Sequence, residues 1–113
     1  MIHLTFYRVR PGKLDQLKAW LAEMGERADE VREAFVHEGV THEQGFLLET
    51  ADGHLLVAAV ECEDYDAARQ MFSKSTFPID VAQRQIMPEL TGGTLELAPL
   101  FDVRVPLPPD SVS

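Results

Sequence analysis

LDQLKAWLAEMGERADEVREAF, residues 14–35, is the stretch on which the fold turns. Leu14, Leu17, Leu21, Met24, Ala28, Val31 and Phe35 recur at steps of three and four without a slip, the spacing of one face of a long helix. Trp20 widens that stripe, while Asp15, Lys18, Glu23, Glu26, Glu30 and Glu33 mark the solvated side. A helix this one-sided needs a broad apolar surface to lie on, and the flanking sequence must supply it. Gly25 sits away from the stripe, costs about 1 kcal/mol relative to Ala, and marks where a bend is expected. Gly39 follows the last periodic residues and suits a left-handed cap.

Working outward, Ile2 to Val9 alternates Ile2, Leu4 and Phe6 with His3, Thr5 and Tyr7, the period of a strand. Thr41–Thr50 and His54–Cys62 read as two strands joined through Asp52-Gly53, a hairpin signal. With Ala51 facing His54, Leu48 faces Val57 and Phe46 faces Ala59 on one side. Leu47 faces Ala58 and Glu43 faces Cys62 on the other. Both sides are largely apolar, so something must cover the face that this chain's own helices leave bare, and a second copy is the economical answer. Asp64 caps a short helix through Ser73, with Tyr65, Ala68, Met71 and Phe72 inward. A further helix runs from Ile79 to Met87 and stops at Pro88. Gly92-Gly93 opens a last strand to Val105, which Pro99 confines to an edge or a bulge. The order β-α-β-β-α-α-β predicts an α+β, ferredoxin-like antiparallel sheet with helices on one face, the third strand lying between the first and second. Residues 1–105 form the single domain, and 106–113 a flexible proline-rich tail.

The chain has 113 residues, 45% of them hydrophobic and 26% charged, as expected of one globular domain with one core. The net charge of −9 disfavours a nucleic acid or an anionic membrane as partner. No apolar run approaches the ~20 residues of a membrane span, and the opening shows no secretory leader. The lone Cys62 has no internal partner, so a cytoplasmic location is expected.

In this layout the chain resembles the dimeric α/β-barrel superfamily, short ferredoxin-like chains whose sheets pair face to face. Its members include cofactor-free monooxygenases of antibiotic biosynthesis, polyketide cyclases, muconolactone isomerase and rhamnose mutarotase. The resemblance implies a homodimer through the sheet face and a substrate cleft between sheet and helices. It implies no one reaction. Residues His54 to Glu61 and the helix ending before Gly39 are similar to the mutarotases. That family places a Tyr and a His early in the long helix, where this chain has Leu17 and Leu21, so the activity does not carry over. Val9 to Lys13, Glu43 and Phe77-Pro78-Ile79-Asp80-Val81-Ala82-Gln83 are similar to an uncharacterised bacterial family with a His-x-Ile-Asp-x-x-His motif. Here the Ile-Asp core stays, and Phe77 and Gln83 replace both histidines.

His3, Thr5 and Tyr7 form a polar stripe on a strand expected at the centre of the sheet, and Glu43 is a carboxylate among apolar neighbours. His3 with Glu43 would serve proton transfer, and Tyr7 would donate a hydrogen bond. Burial would raise the Glu43 pKa toward neutrality. The plainer alternative leaves His3 and Glu43 half-wet at strand ends and packs Tyr7 in the core. Thr5, Trp20, Asp80, Gln83 and Arg84 complete a substrate site, with Arg84 forking an anion. Against this, Trp20 beside an apolar stripe is ordinary core, and Asp80 suits a first helical turn. No spacing specifies a metal site, and no cofactor is implied. The function expected is a cofactor-independent isomerase or cyclase moving a proton on a small apolar carbonyl or phenolic compound. The alternatives are a non-catalytic ligand-binding or dimeric assembly module, which the replaced histidines favour, and a cofactor-free monooxygenase. A polar-lined pocket of ~300 Å³ or more separates enzyme from module.

Overall fold

The computed structural model describes residues 1–106. Strand β1 (Ile2–Val9) leads into helices α1 (Leu14–Glu26) and α2 (Ala28–Glu38), and then into the hairpin β2 (Val40–Thr50) and β3 (Gly53–Cys62). Helices α3 (Tyr65–Lys74) and α4 (Pro78–Leu90) follow, and strand β4 (Thr91–Leu97) closes the order. The strands form one antiparallel sheet, β2-β3-β1-β4, with β1 central and the third strand between the first two. This is the ferredoxin-like α+β fold that the element order predicts.

Strand parity decides the layers. Thr5 lies opposite Ala58 and Tyr7 opposite Leu56, and this side of the sheet carries the buried Thr5, Val9, Leu56, Ala58, Val60 and Cys62. The helices cover it. Leu17, with no exposed surface, centres a core with Trp20, Ala34, Ile79 and Leu90, while Val40, Val60, Cys62 and Ala68 form a second cluster. On the other face Ile2, Leu4, Phe46, Leu48, Leu95 and Leu97 are exposed.

Several boundaries differ from the sequence expectation. The helix over residues 14–35 is two helices, interrupted at Arg27 (φ −99°, ψ 32°) rather than at Gly25, and the second runs on to Glu38. Gly25 stays helical, while the Arg27 guanidinium holds Glu23 and Glu30 on either side of the break at 3.2 and 2.7 Å. Gly39 takes the expected left-handed cap, φ 77°.

The hairpin register is shifted by two residues: Thr50 pairs with Gly53 and Phe46 with Val57, leaving Ala51-Asp52 as the loop. Among the described residues only glycines have positive φ, so Asp52-Gly53 is not the left-handed pair of a type I′ turn. The Thr50 hydroxyl closes the loop instead, donating to the Gly53 carbonyl at 2.7 Å and accepting from the Asp52 N–H at 3.2 Å. A shift of two leaves every side chain on its expected face.

Asp64 caps α3 as expected, accepting from the Ala67 N–H at 3.0 Å, but Met71 faces outward. Helix α4 does not stop at Pro88; it starts at Pro78, where a missing N–H costs nothing, and continues to Leu90. The chain beyond is held in place by Arg10, whose backbone N–H donates to the Leu90 carbonyl at 2.9 Å and whose Nε donates to the Pro88 carbonyl at 3.1 Å. Strand β4 is the expected edge but ends at Leu97, two residues before Pro99, and residues 98–106 have no regular structure. Beyond Pro106, the expected tail lies outside the described residues. Among the described residues no helix is long and apolar enough to cross a membrane.

Candidate functional site

A cavity of about 580 Å³ lies between the helix-covered face of the sheet and the α3–α4 pair. Its floor is apolar, from Ala58 and Val60 of β3 with Val40 of β2. Two polar groups rise from the sheet into it, Tyr7 from β1 and Glu43 from β2. Helix α3 contributes Tyr65, Arg69 and Phe72, and α4 contributes Gln83, Arg84 and Met87.

Glu43 stands opposite Val60 on the outer strand of the sheet. Although solvent still reaches it along that open edge, the protein around it disfavours the charged form and pushes its pKa up to about 7. Tyr7 is pushed up to about 12, first by burial and then by the nearby Tyr65 and Glu43. At neutral pH it is a hydrogen-bond donor that keeps its proton. The pair therefore offers one group poised to take a proton and one fixed to give a hydrogen bond.

The other expected site residues divide. Gln83 lines the cavity and accepts a hydrogen bond from Trp20 Nε1, which leaves its amide N–H groups as donors; Trp20 itself is buried core. Arg84 lines the cavity as well, but its Nη1 donates to the Phe72 carbonyl at 2.6 Å and its Nη2 to the Ser75 carbonyl at 2.7 Å. Those contacts tie off the C-terminal end of α3, so Arg84 is engaged in holding the roof. Thr5 is buried beneath Tyr65, their hydroxyls 3.0 Å apart. His3 stacks on the Tyr65 ring at 4.6 Å and lies in a neighbouring groove; Tyr65 is shared by both spaces. The structure thus brings together Tyr7, Glu43, Gln83 and Arg84, and sets His3, Thr5, Trp20 and Asp80 behind them.

Asp80 is buried in the first turn of α4, and its partner is Glu38 at the end of α2, also buried. The Glu38 carboxyl is pushed up to about 8, by burial first and then by the hydrogen bond and charge of Asp80. Glu38 Oε2 and Asp80 Oδ2 are both buried without a hydrogen-bond partner among the described residues, and a proton kept on Glu38 and donated to Asp80 would satisfy them. Glu38 falls three residues after Phe35 on the apolar stripe, which is the sequence signal for it. Arg69 was equally legible in principle, one turn beyond Tyr65 on the inner side of α3. Among the described residues no group of three His, Cys, Asp or Glu side chains is placed to hold a metal ion.

A ferredoxin-like chain with a polar-lined cavity under its helices defines a class shared by many small proteins. Within it, the chain belongs to DUF6176, a family of unknown function, whose model matches residues 1–112. No curated protein matches the sequence. Among solved structures, Rv0793 from Mycobacterium tuberculosis is similar at 21% identity and a TM-score of 0.53, covering 91% of this chain and 97% of that one. A variant of SnoaB, a cofactor-independent oxygenase from Streptomyces nogalater, is similar at 12% identity and a TM-score of 0.56, covering 90% and 94%. SO0527 from Shewanella oneidensis gives 17% identity and a TM-score of 0.50, covering 85% and 84%. At these identities the likeness is one of fold.

Proposed function

We propose that the protein is a cofactor-independent enzyme that moves a proton on a small, largely apolar carbonyl or phenolic compound. The observation that carries this reading is the convergence of Glu43 and Tyr7 in one cavity of about 580 Å³, where the surrounding protein pushes the carboxyl up to about 7 and the phenol up to about 12. The space is in the range of small-molecule sites and is not filled by large side chains, which favours an enzyme over an assembly module. Glu43 takes the proton next to the carbonyl. The bonding electrons pass to the oxygen, which Tyr7 stabilises through its O–H, and Glu43 returns the proton at another carbon. If the same carbanion instead attacks a second carbonyl carbon of the substrate, the C=O π pair moves onto that oxygen, which takes the proton back from Glu43, and the product is a ring. His3 acts, in this reading, only through Tyr65, which it holds by stacking.

A second reading is an oxygenase in which the same deprotonated, electron-rich substrate meets dioxygen. It is supported by the likeness to SnoaB, described as a cofactor-independent oxygenase. The apolar open face of the sheet supports a homodimer in either case.

A panel of aromatic and polyketide-like ketones and acids, screened first by thermal shift and then for α-proton exchange into D₂O by NMR, tests the proposal. Exchange should rise with pH through about 7 and then level off, and Glu43→Gln should remove it while binding remains. Exchange that is unchanged in Glu43→Gln overturns the assignment, and oxygen uptake with exchange-competent ligands selects the second reading.

A further inference from the structure

We propose that Arg69 is the anchor for an acidic group on the ligand, so that the cavity takes compact apolar carboxylic acids in preference to neutral compounds of the same shape. The inference rests on the cavity reading above and adds the ligand class.

Two guanidiniums line the cavity in a chain whose net charge is −9. They are not equivalent. Both terminal nitrogens of Arg84 are taken by main-chain carbonyls at the end of α3, and letting go of them would free two acceptors under the roof. Arg69 has no such duty. Its guanidinium lies 5.8 Å from the centre of the Tyr65 ring, and its Nη1 meets the Glu96 carboxylate at 2.8 Å. Both side chains of that pair are more than half exposed, so water screens it and it is weak enough to exchange. Glu96 meets Arg69 through one oxygen only, whereas an incoming carboxylate can take the guanidinium with both oxygens while burying its apolar body against Ala58, Val60 and Phe72. Tyr7 is within electrostatic reach of both Arg69 and Glu43, so an acid held at Arg69 presents its body toward the proton-transfer pair. If Arg69 only braces α3 against β4, ligand charge will not matter.

The probes are 2-naphthoate and 2-naphthamide, of nearly equal size and differing in charge, with dissociation constants measured by titration calorimetry at low salt. In the native protein the acid should bind about tenfold tighter than the amide. Arg69→Gln should remove that preference by weakening the acid far more than the amide, with an unchanged circular dichroism spectrum showing that the variant is folded. Glu96→Gln, by freeing Arg69, should tighten the acid alone, by roughly threefold. Equal binding of acid and amide by the native protein overturns the anion anchor and leaves the cavity reading intact. A preference that survives in Arg69→Gln overturns it too. If neither probe binds, the anchor and the cavity reading fall together.

Discussion

At the scale of single residues, the strongest departure from ordinary surface chemistry is the Glu38–Asp80 pair. Two neighbouring buried carboxyls cannot both be charged without a large penalty, so Glu38 keeps its proton well above the usual carboxylate range. A carboxyl whose folded pKa, about 8, exceeds the ordinary 4.5 holds its proton longer in the folded chain. Its stabilising effect is therefore complete below about pH 4.5 and is lost as pH rises through about 8. Melting curves should show this as a loss on the order of 1–2 kcal/mol between pH 6 and 9, or roughly 5–10 °C in Tm. Glu38→Gln removes the titrating carboxyl beside Asp80, so its Tm should fall less over the same range, keeping only the part that Glu43 contributes as pH rises through about 7. A slope as steep in the variant as in the native protein would locate the titrating group elsewhere. Glu43 is legible in the sequence because a lone acid in an apolar strand stands out. Glu38 carries the same signal, but its place beside Gly39 reads as the wet end of a helix, and no spacing links position 38 to position 80.

At the scale of elements, the periodic signals survive, and so do the caps at Gly39 and Asp64, but the expected breaks at Gly25 and Pro88 do not. The stripe from Leu14 to Phe35 finds its surface on the sheet, and Leu17 and Leu21, which bar the mutarotase chemistry, are core packing residues. What the spacing misses is where tertiary bonds overrule local breakers. Pro88 is tolerated inside α4 because the turn after it is pinned from outside by Arg10, and the Thr91 hydroxyl donates to the Met87 carbonyl at 2.9 Å. Arg84 shows the same limit for the site. Read alone, an arginine on a cleft helix is an anion fork; in the fold it closes the end of α3 through Phe72 and Ser75. Arg84→Met, which keeps the stem and removes the donors, should destabilise the protein by about 2 kcal/mol in urea unfolding, since charge-assisted bonds to partly buried carbonyls are lost. The same variant should keep most of its preference for 2-naphthoate over 2-naphthamide. Loss of that preference with stability intact would return Arg84 to the binding role.

At the scale of the whole molecule, the sheet has one side too many. Ile2, Leu4, Phe46, Leu48, Leu95 and Leu97 lie on the face opposite the helices, from 37 to 65% exposed, in a chain that buries its other apolar face well. An apolar patch of this extent is unusual on a monomer in water, and a flat self-complementary sheet face suits a twofold partner. The extended residues after β4 border the same surface: Phe101 and Val103 share a groove with Ile2 and Leu4, and Arg104 ties the segment to Glu61 at 3.2 Å. A homodimer formed through this face would cover the sheet and the segment together. Light scattering on a gel-filtration peak should then give twice the 12.7 kDa of one chain at micromolar concentration. Leu95→Glu, at an edge position with no core contact to lose, should shift the peak to the single-chain mass without lowering the monomer's helix content. A native protein that runs at the single-chain mass would leave the open face unexplained and remove the dimer from the functional proposal, while the cavity, built within one chain, would stand.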